Sequence, residues 1–163
     1  MRGSKINSDD LINAAVDALD TGNQDLASEC YEKAASLLLE DGNPEAAAIH
    51  LMLAAQYEHK ENGRADALLR QAQEAYLSQS EYAKAIETLL VRAVRAAKEG
   101  REGPAERLFS EVILCSAERL AVIARHSLEI QAPFLADPEA NVLIDQITHS
   151  RNRMKELRSH GDD

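Results

Sequence analysis

The side chains that could do chemistry include five histidines, namely His50, His59, His126, His149 and His160. A di-metal site in a helical bundle needs a Glu three residues before a His, because that spacing places both side chains on one helix face. The residues at that spacing are Ala47, Gln56, Ile123, Gln146 and Leu157, and none is a carboxylate. We therefore predict no metal site of this kind.

The two cysteines, Cys30 and Cys115, lie far apart in the sequence among apolar neighbours. Neither has a Cys or His partner at the spacing of a zinc site. We predict free, buried thiols in a reducing compartment rather than a disulfide. No glycine-rich phosphate loop follows a strand, and nothing local resembles an activated nucleophile. We therefore predict that the chain is not an enzyme and needs no cofactor.

Four basic residues could contact an acidic partner, because Lys84, Arg92, Arg95 and Lys98 fall within about 120° of one another on one predicted helix. Four glutamates share that region of the helix surface, namely Glu81, Glu87, Glu99 and Glu102. This mixture favours a solvated face, so the basic group is only a set of possible electrostatic contacts.

The net charge of −10 argues against broad binding of nucleic acid or of an anionic membrane. Residues 1–79 carry 14 acidic and 6 basic side chains, so the N-terminal half holds most of the negative charge. No apolar run is long enough to span a bilayer, and no signal-peptide pattern is present. We predict a cytoplasmic protein without membrane insertion.

The elements that carry these side chains are predicted to be helices only. Ala, Leu, Glu and Arg are abundant and favour helix, and β-formers never alternate. Pro44, Pro104, Pro133 and Pro138 fit helix starts or linkers. The pattern predicts helices near 8–20, 24–40, 44–61, 64–78, 80–99 and from 104 onward, with a further helix at 137–158. Ser8 or Asp9, Ser80 and Asp137 are predicted N-caps.

A small–large–small ladder at spacings of four and three occurs three times, each time after a glycine. Its members are Ala27, Tyr31 and Ala34 after Gly22, then Ala65, Leu69 and Ala72 after Gly63, then Ala105, Phe109 and Val112 after Gly100 and Gly103. The near-constant offset predicts three antiparallel helix hairpins as a repeat array over 8–136. Residues 137–158 would cap the array, 159–163 would form a flexible tail, and 1–7 would be a flexible terminus or a remnant of expression.

Two sets of packing residues resemble a tetratricopeptide (TPR) repeat. The first set is Leu11, Ala14, Ala15, Gly22, Ala27, Tyr31 and Ala34, and the second is Leu89, Ala93, Gly100, Ala105 and Phe109. The long period is similar to that of soluble NSF attachment proteins and related divergent TPR-like domains. The resemblance implies a right-handed superhelix whose groove is lined by the first helix of each hairpin, and it implies a role in protein–protein interaction.

The groove positions implied by this resemblance are apolar here, whereas peptide-clamping TPR domains carry basic residues there. They are Ile12, Val16, Leu19, Leu90, Val94 and Ala97. An apolar groove must be covered by the seventh helix, by a second chain or by a partner segment. Our leading hypothesis is a non-catalytic adaptor that binds a helical or extended apolar segment of a protein partner.

Two alternatives stay open from the sequence. The chain could be a self-associating helical scaffold, a homo-oligomer in which a basic C-terminal helix end meets the acidic first hairpin. That basic end consists of Arg151, Arg153, Lys155 and Arg158. The other alternative is a small-molecule-binding or catalytic helical bundle.

Overall fold

The computed structural model describes residues 7–59, 63–130 and 133–160, and every regular element in that part of the chain is helical. The α-helices are α1 (Ser8–Asp20), α2 (Gln24–Glu40), α3 (Pro44–Tyr57), α4 (Arg64–Ser78), α5 (Tyr82–Lys98), α6 (Glu102–Glu129) and α7 (Pro138–His160), with a short 3₁₀ helix at Phe134–Ala136. The predicted all-α class is confirmed. The expectations for residues 1–6 and for 161–163 lie outside the described residues.

The chain divides into two compact units, Met1–Glu81 and Tyr82–Asp163. In the N-terminal unit, α2 packs against both α1 and α3, and α3 packs against α4. In the C-terminal unit, α6 packs against α5 and α7, and α7 also contacts α5. The N-terminal unit is thus held mainly by contacts between consecutive helices, and the C-terminal unit adds a contact between α5 and α7.

Short turns of one design end several helices. At Gly22 the backbone φ is +74°, and the N–H groups of Gly22 and Asn23 donate to the carbonyls of Leu19 and Ala18. This pattern satisfies carbonyls that the helix end leaves without partners, and the positive φ favours glycine. Asn23 then caps α2 by accepting a hydrogen bond from the Leu26 amide. The residues of the turn itself, Gly22 and Asn23, therefore determine the conformation between α1 and α2.

The helix starts differ from the sequence predictions at two places. Asn7, rather than Ser8 or Asp9, caps α1, and it exchanges hydrogen bonds with Asp10 in a capping box. Ser80 does not cap α5, which begins at Tyr82. Instead Ser80 has a φ of +60° and occupies the place in the turn after α4 that Gly22 occupies after α1. The chain thus uses a serine at a turn position that is glycine after α1, α2 and α5.

Two further boundaries also differ. The predicted third helix extended to residue 61, but α3 ends at Tyr57, because Glu58 adopts an extended conformation. Gly103 lies inside the first turn of α6, and the turn before that helix is made by Gly100.

The prediction that one long helix runs on towards Pro133 is confirmed by the 28 residues of α6. Asp137 caps α7 as predicted, by accepting a hydrogen bond from the Glu139 amide.

The ladder positions found in the sequence form the centres of the helix contacts. All nine are buried, with 5% or less of each residue exposed: Ala27, Tyr31, Ala34, Ala65, Leu69, Ala72, Ala105, Phe109 and Val112. Most other buried residues of the N-terminal unit are alanines. Small side chains let helices approach closely, so this core is built from close backbone packing more than from large apolar groups.

Candidate interaction surface

The α1 members of the predicted groove form a partly exposed apolar stripe. Ile12, Val16 and Leu19 are spaced by four and three residues, which places them on one helix face. Ile12 and Leu19 are half-buried, and Val16 between them is 46% exposed. Ala15 and Ala18 lie on the buried side of the same helix. We call Ile12, Val16 and Leu19 the α1 stripe.

The α1 stripe has an acidic border. Asp9, Asp17 and Asp20 are all exposed on the same helix, as is the neutral Asn13. The three carboxylates add to the negative charge of the N-terminal unit.

The α5 members of the predicted groove are in a different situation. Leu90, Val94 and Ala97 are half-buried and pack against a core cluster of Ala93, Ala96, Ala105 and Phe109. Met154 and Leu157 of α7 pack against the same cluster. Residues of the chain's own last helix thus pack on the same cluster as the α5 positions.

Polar contacts hold α7 in this position along most of its length. At its start, the Arg119 guanidinium donates two hydrogen bonds to Glu139, at 2.8 and 2.9 Å. Gln146 donates to the carbonyl oxygen of Ala83 in α5 at 3.3 Å. Near the end of α7, Arg158 donates to Glu106 at 2.7 Å. Because α7 is fixed at both ends as well as by its apolar face, it is an integral part of the C-terminal unit.

The four basic residues predicted as electrostatic contacts lie in different environments. Arg92 is buried, with 9% of the residue exposed, whereas Lys84 and Arg95 are half-buried and Lys98 is exposed. They therefore do not form one evenly exposed basic surface.

Arg95 is already engaged by a neighbouring carboxylate. Its Nε donates to Glu99 at 2.9 Å, and Arg101 donates to the other oxygen of Glu99. Burial opposes the charged form of Glu99, but the hydrogen bonds from Arg101 and Arg95 outweigh it and lower the pKa of the carboxyl group. Arg95 thus already pairs with an acidic residue of its own chain, as part of a local charge network.

A row of aromatic rings crosses from α2 to α3. The Tyr31 ring stacks on His50 with centroids 5.7 Å apart, and on Tyr57 with centroids 6.3 Å apart. His50 Nδ1 is buried, and no hydrogen-bond partner for it exists in the described part of the chain. Burial lowers the pKa of His50, which favours the neutral imidazole. Burial, with a smaller contribution from Tyr57, raises the pKa of Tyr31.

An ion-pair cluster involves Glu32 and Glu58, the residues that directly follow Tyr31 and Tyr57 in the sequence. Arg64, the first residue of α4, pairs with Glu32 of α2 and with Glu58, whose carboxylate is 3.3 Å from the Arg64 Nε. Glu58 is buried, with 3% exposed. A buried carboxylate needs a charged partner. Arg64 supplies this partner for Glu58.

The two cysteines lie in different environments. Cys30 is a buried free thiol and Cys115 a half-buried one. Burial, followed by the nearby Glu111 and Glu118, raises the pKa of Cys115. Within residues 7–59, 63–130 and 133–160, no three His, Cys, Asp or Glu side chains are grouped so that they could hold a metal ion. No described helix is both long and apolar enough to cross a membrane.

No family model, curated protein or solved structure matches this chain.

Two features of these surfaces were not found from the sequence. The His50–Tyr31–Tyr57 row joins residues up to 26 positions apart, and spacing along one helix could not reveal it. The second is an exposed apolar face on α6, whose Leu114 and Leu128 are 59% and 79% exposed. The sequence signal for that face was the seven-residue spacing of Leu114, Ala121 and Leu128.

Proposed function

We propose that this protein is a non-catalytic protein–protein interaction adaptor of the TPR-like type, and that it binds an apolar segment of a partner on the α1 stripe. The repeated ladder supports the TPR-like assignment, because its three copies occupy equivalent buried positions in α2, α4 and α6. In this proposal the hairpins form a superhelical array, and α1 lies on its inner face.

The observation that carries the proposal is the exposure of Val16 between two further apolar residues at helical spacing. The α5 positions are less suitable, since Leu90, Val94 and Ala97 already pack against the buried cluster that contains Phe109. The partner segment would be an amphipathic helix or an extended strand with two or three apolar anchors. Basic residues beside those anchors would meet Asp9, Asp17 and Asp20.

The test compares Val16→Asp with Asn13→Asp in capture experiments from the native source, read by quantitative mass spectrometry. Both variants place one new carboxylate on an exposed position of α1. They therefore have the same net charge and change the same helix. We expect Val16→Asp to lose at least about 90% of the specific partner, because a charge would be desolvated in the interface. Asn13→Asp should keep it.

Circular dichroism must show that both variants are equally helical. Recovery of the same partner by folded Val16→Asp would exclude the α1 stripe as the binding surface. Val94→Asp is not a clean test of the groove, because Val94 packs in the cluster that contains Phe109 and Leu157. A charge at that position would disturb the fold before it could affect a partner.

A further inference from the structure

The second half of α6 presents an exposed face that no other part of the described chain covers. Leu114, Ala117, Ala121 and Leu128 are all exposed, and Arg125 is exposed beside them. On a helix of 3.6 residues per turn, these five positions fall within an arc of about 80°. Leu128 is 79% exposed and Leu114 is 59% exposed. We call this surface the α6 face.

The opposite side of the same segment is part of the core. Ile123 is buried in the cluster that contains Leu143 of α7, and Leu120 packs against that cluster. The α6 face is therefore the outer side of a well-anchored helix. A rigid helix of this kind can present its outer residues to a partner without first having to become ordered.

The spacing along the α6 face is that of a short coiled-coil seam. Leu114, Ala121 and Leu128 recur every seven residues, with Ala117 between the first two. The seam is also symmetric about its centre, since Leu114 and Leu128 each lie seven residues from Ala121. A surface with this symmetry can match a second copy of itself.

The charges on the α6 face favour an antiparallel arrangement of two copies. If two α6 helices cross antiparallel at Ala121, Leu114 of each copy lies opposite Leu128 of the other. In the same register, Glu118 of each copy lies beside Arg125 of the other. Both side chains are exposed, and neither makes an ion pair within the described residues. Among the described residues, the Arg125 side chain makes only a long hydrogen bond of 3.4 Å, which it donates to the Ala121 carbonyl of its own helix.

We propose that the α6 face binds a second copy of this chain, antiparallel and about a two-fold axis at Ala121. The small residues Ala117 and Ala121 let the two helices approach closely, and the leucines close the two ends of the seam. Two Glu118–Arg125 pairs, one on each side of the axis, set the register. This surface is separate from the α1 stripe, so the proposal does not rest on the proposed function.

The seam spans 15 residues, which is fewer than the roughly 20–30 residues per side of a standard stable interface. We therefore expect a weak dimer, with a dissociation constant of about 10 μM to 1 mM. The measurement is sedimentation equilibrium of the full chain over that concentration range. The mass should rise with concentration from 17.9 kDa towards twice that value.

Four variants test the surface. Ala121→Glu places two carboxylates against each other at the axis, and it should raise the dissociation constant at least about tenfold. His126→Glu is the control, because it adds a carboxylate to an exposed position of α6 well away from the seam. Glu118→Arg should weaken the dimer severalfold, and Glu118→Arg with Arg125→Glu should restore it, because the exchanged charges again lie opposite each other.

Circular dichroism must first show that each variant has native helicity, and each result then has one interpretation. A chain that stays monomeric up to about 1 mM would overturn the proposal. A dimer that Ala121→Glu leaves intact would mean that another surface is used. Failure of the charge exchange to restore association would exclude the antiparallel register. Because Val16 is not involved, Val16→Asp should dimerise like the unchanged chain even if it loses a partner.

Discussion

Arg119 of α6 and Glu139 of α7 form a two-pronged ion pair, with nitrogen–oxygen distances of 2.8 and 2.9 Å. The Arg119 guanidinium also lies over the ring of Tyr82 in α5, 4.6 Å from its centroid. One arginine thus ties together all three long helices of the C-terminal unit, at the end where α7 begins.

The first prediction is that Arg119→Lys lowers the free energy of unfolding by about 1 kcal/mol, since lysine can replace neither the paired hydrogen bonds nor the flat stacking surface. Both side chains are about a quarter exposed, so the loss stays modest. Arg153→Lys is the control, because Arg153 pairs with Glu156 within α7 itself. Urea unfolding measures both. Equal losses of unfolding free energy in the two variants would mean that the Arg119–Glu139 pair stabilises the fold no more than a pair within one helix.

The second prediction compares two adjacent residues of α7 that differ in exposure. Leu143 is fully buried in the cluster with Leu89 and Ile123, whereas Val142 is 45% exposed. Leu143→Ala should cost about 2–4 kcal/mol, through lost burial and the cavity that remains. Val142→Ala should change stability by less than about 0.5 kcal/mol. Chemical denaturation followed by circular dichroism gives both values. A small effect of Leu143→Ala would contradict the integral role assigned to α7.

The third prediction concerns pH. Because the pKa of His50 is lowered in the folded chain, the unfolded chain binds the proton first as the pH falls below the ordinary histidine value of about 6.5. The contribution of His50 to stability is therefore complete above that pH and decreases below it. The ring that stacks on His50 is that of Tyr31. Because burial raises the pKa of Tyr31, its hydroxyl carries no negative charge that could offset a new positive charge on His50.

His50→Phe keeps a flat ring for Tyr31 and removes the titrating group. We expect this variant to lose part of the decline in unfolding free energy between about pH 7 and pH 5. His126→Gln is the control, because the side chain of His126 is 68% exposed. Denaturant unfolding at a series of pH values gives the comparison. A decline that is the same in His50→Phe as in the unchanged chain would rule out His50 as its source.

The fourth prediction separates backbone conformation from packing at two nearby glycines. A Cβ atom added at Gly100 or at Gly103 would meet nothing within 4 Å, so space does not distinguish them. Gly100 has a φ of +71°, whereas Gly103 lies in α6. Gly100→Ala should destabilise by about 1 kcal/mol, and Gly103→Ala should stabilise by about 0.5–1 kcal/mol. Thermal unfolding shifts of opposite sign are expected, and shifts of the same sign would contradict the assignment of the turn.

Local rules explain why the helices were predictable. Side-chain periodicity, the turn glycine at position 22 and the cap at Asp137 act within a few residues of the chain, so the sequence shows them directly. Where local signals competed, the boundaries moved. Ser80 could cap a helix or occupy a left-handed turn position, and α4 uses it for the turn. Glu58 could continue α3, but its carboxylate pairs with Arg64 instead.

The candidate surface was predictable only in part, because exposure depends on which distant residues pack together. The sequence alone determined the all-α class, the helices and the apolar residues on their faces. It assigned the same role to Val16 and Val94, since each lies on an apolar stripe at helical spacing. Only the tertiary structure decided that Val94 packs in a cluster shared with Leu157, and that Val16 and Leu128 stay exposed. The physical reason is that helical periodicity comes from local backbone geometry, whereas burial depends on contacts between helices far apart in the chain.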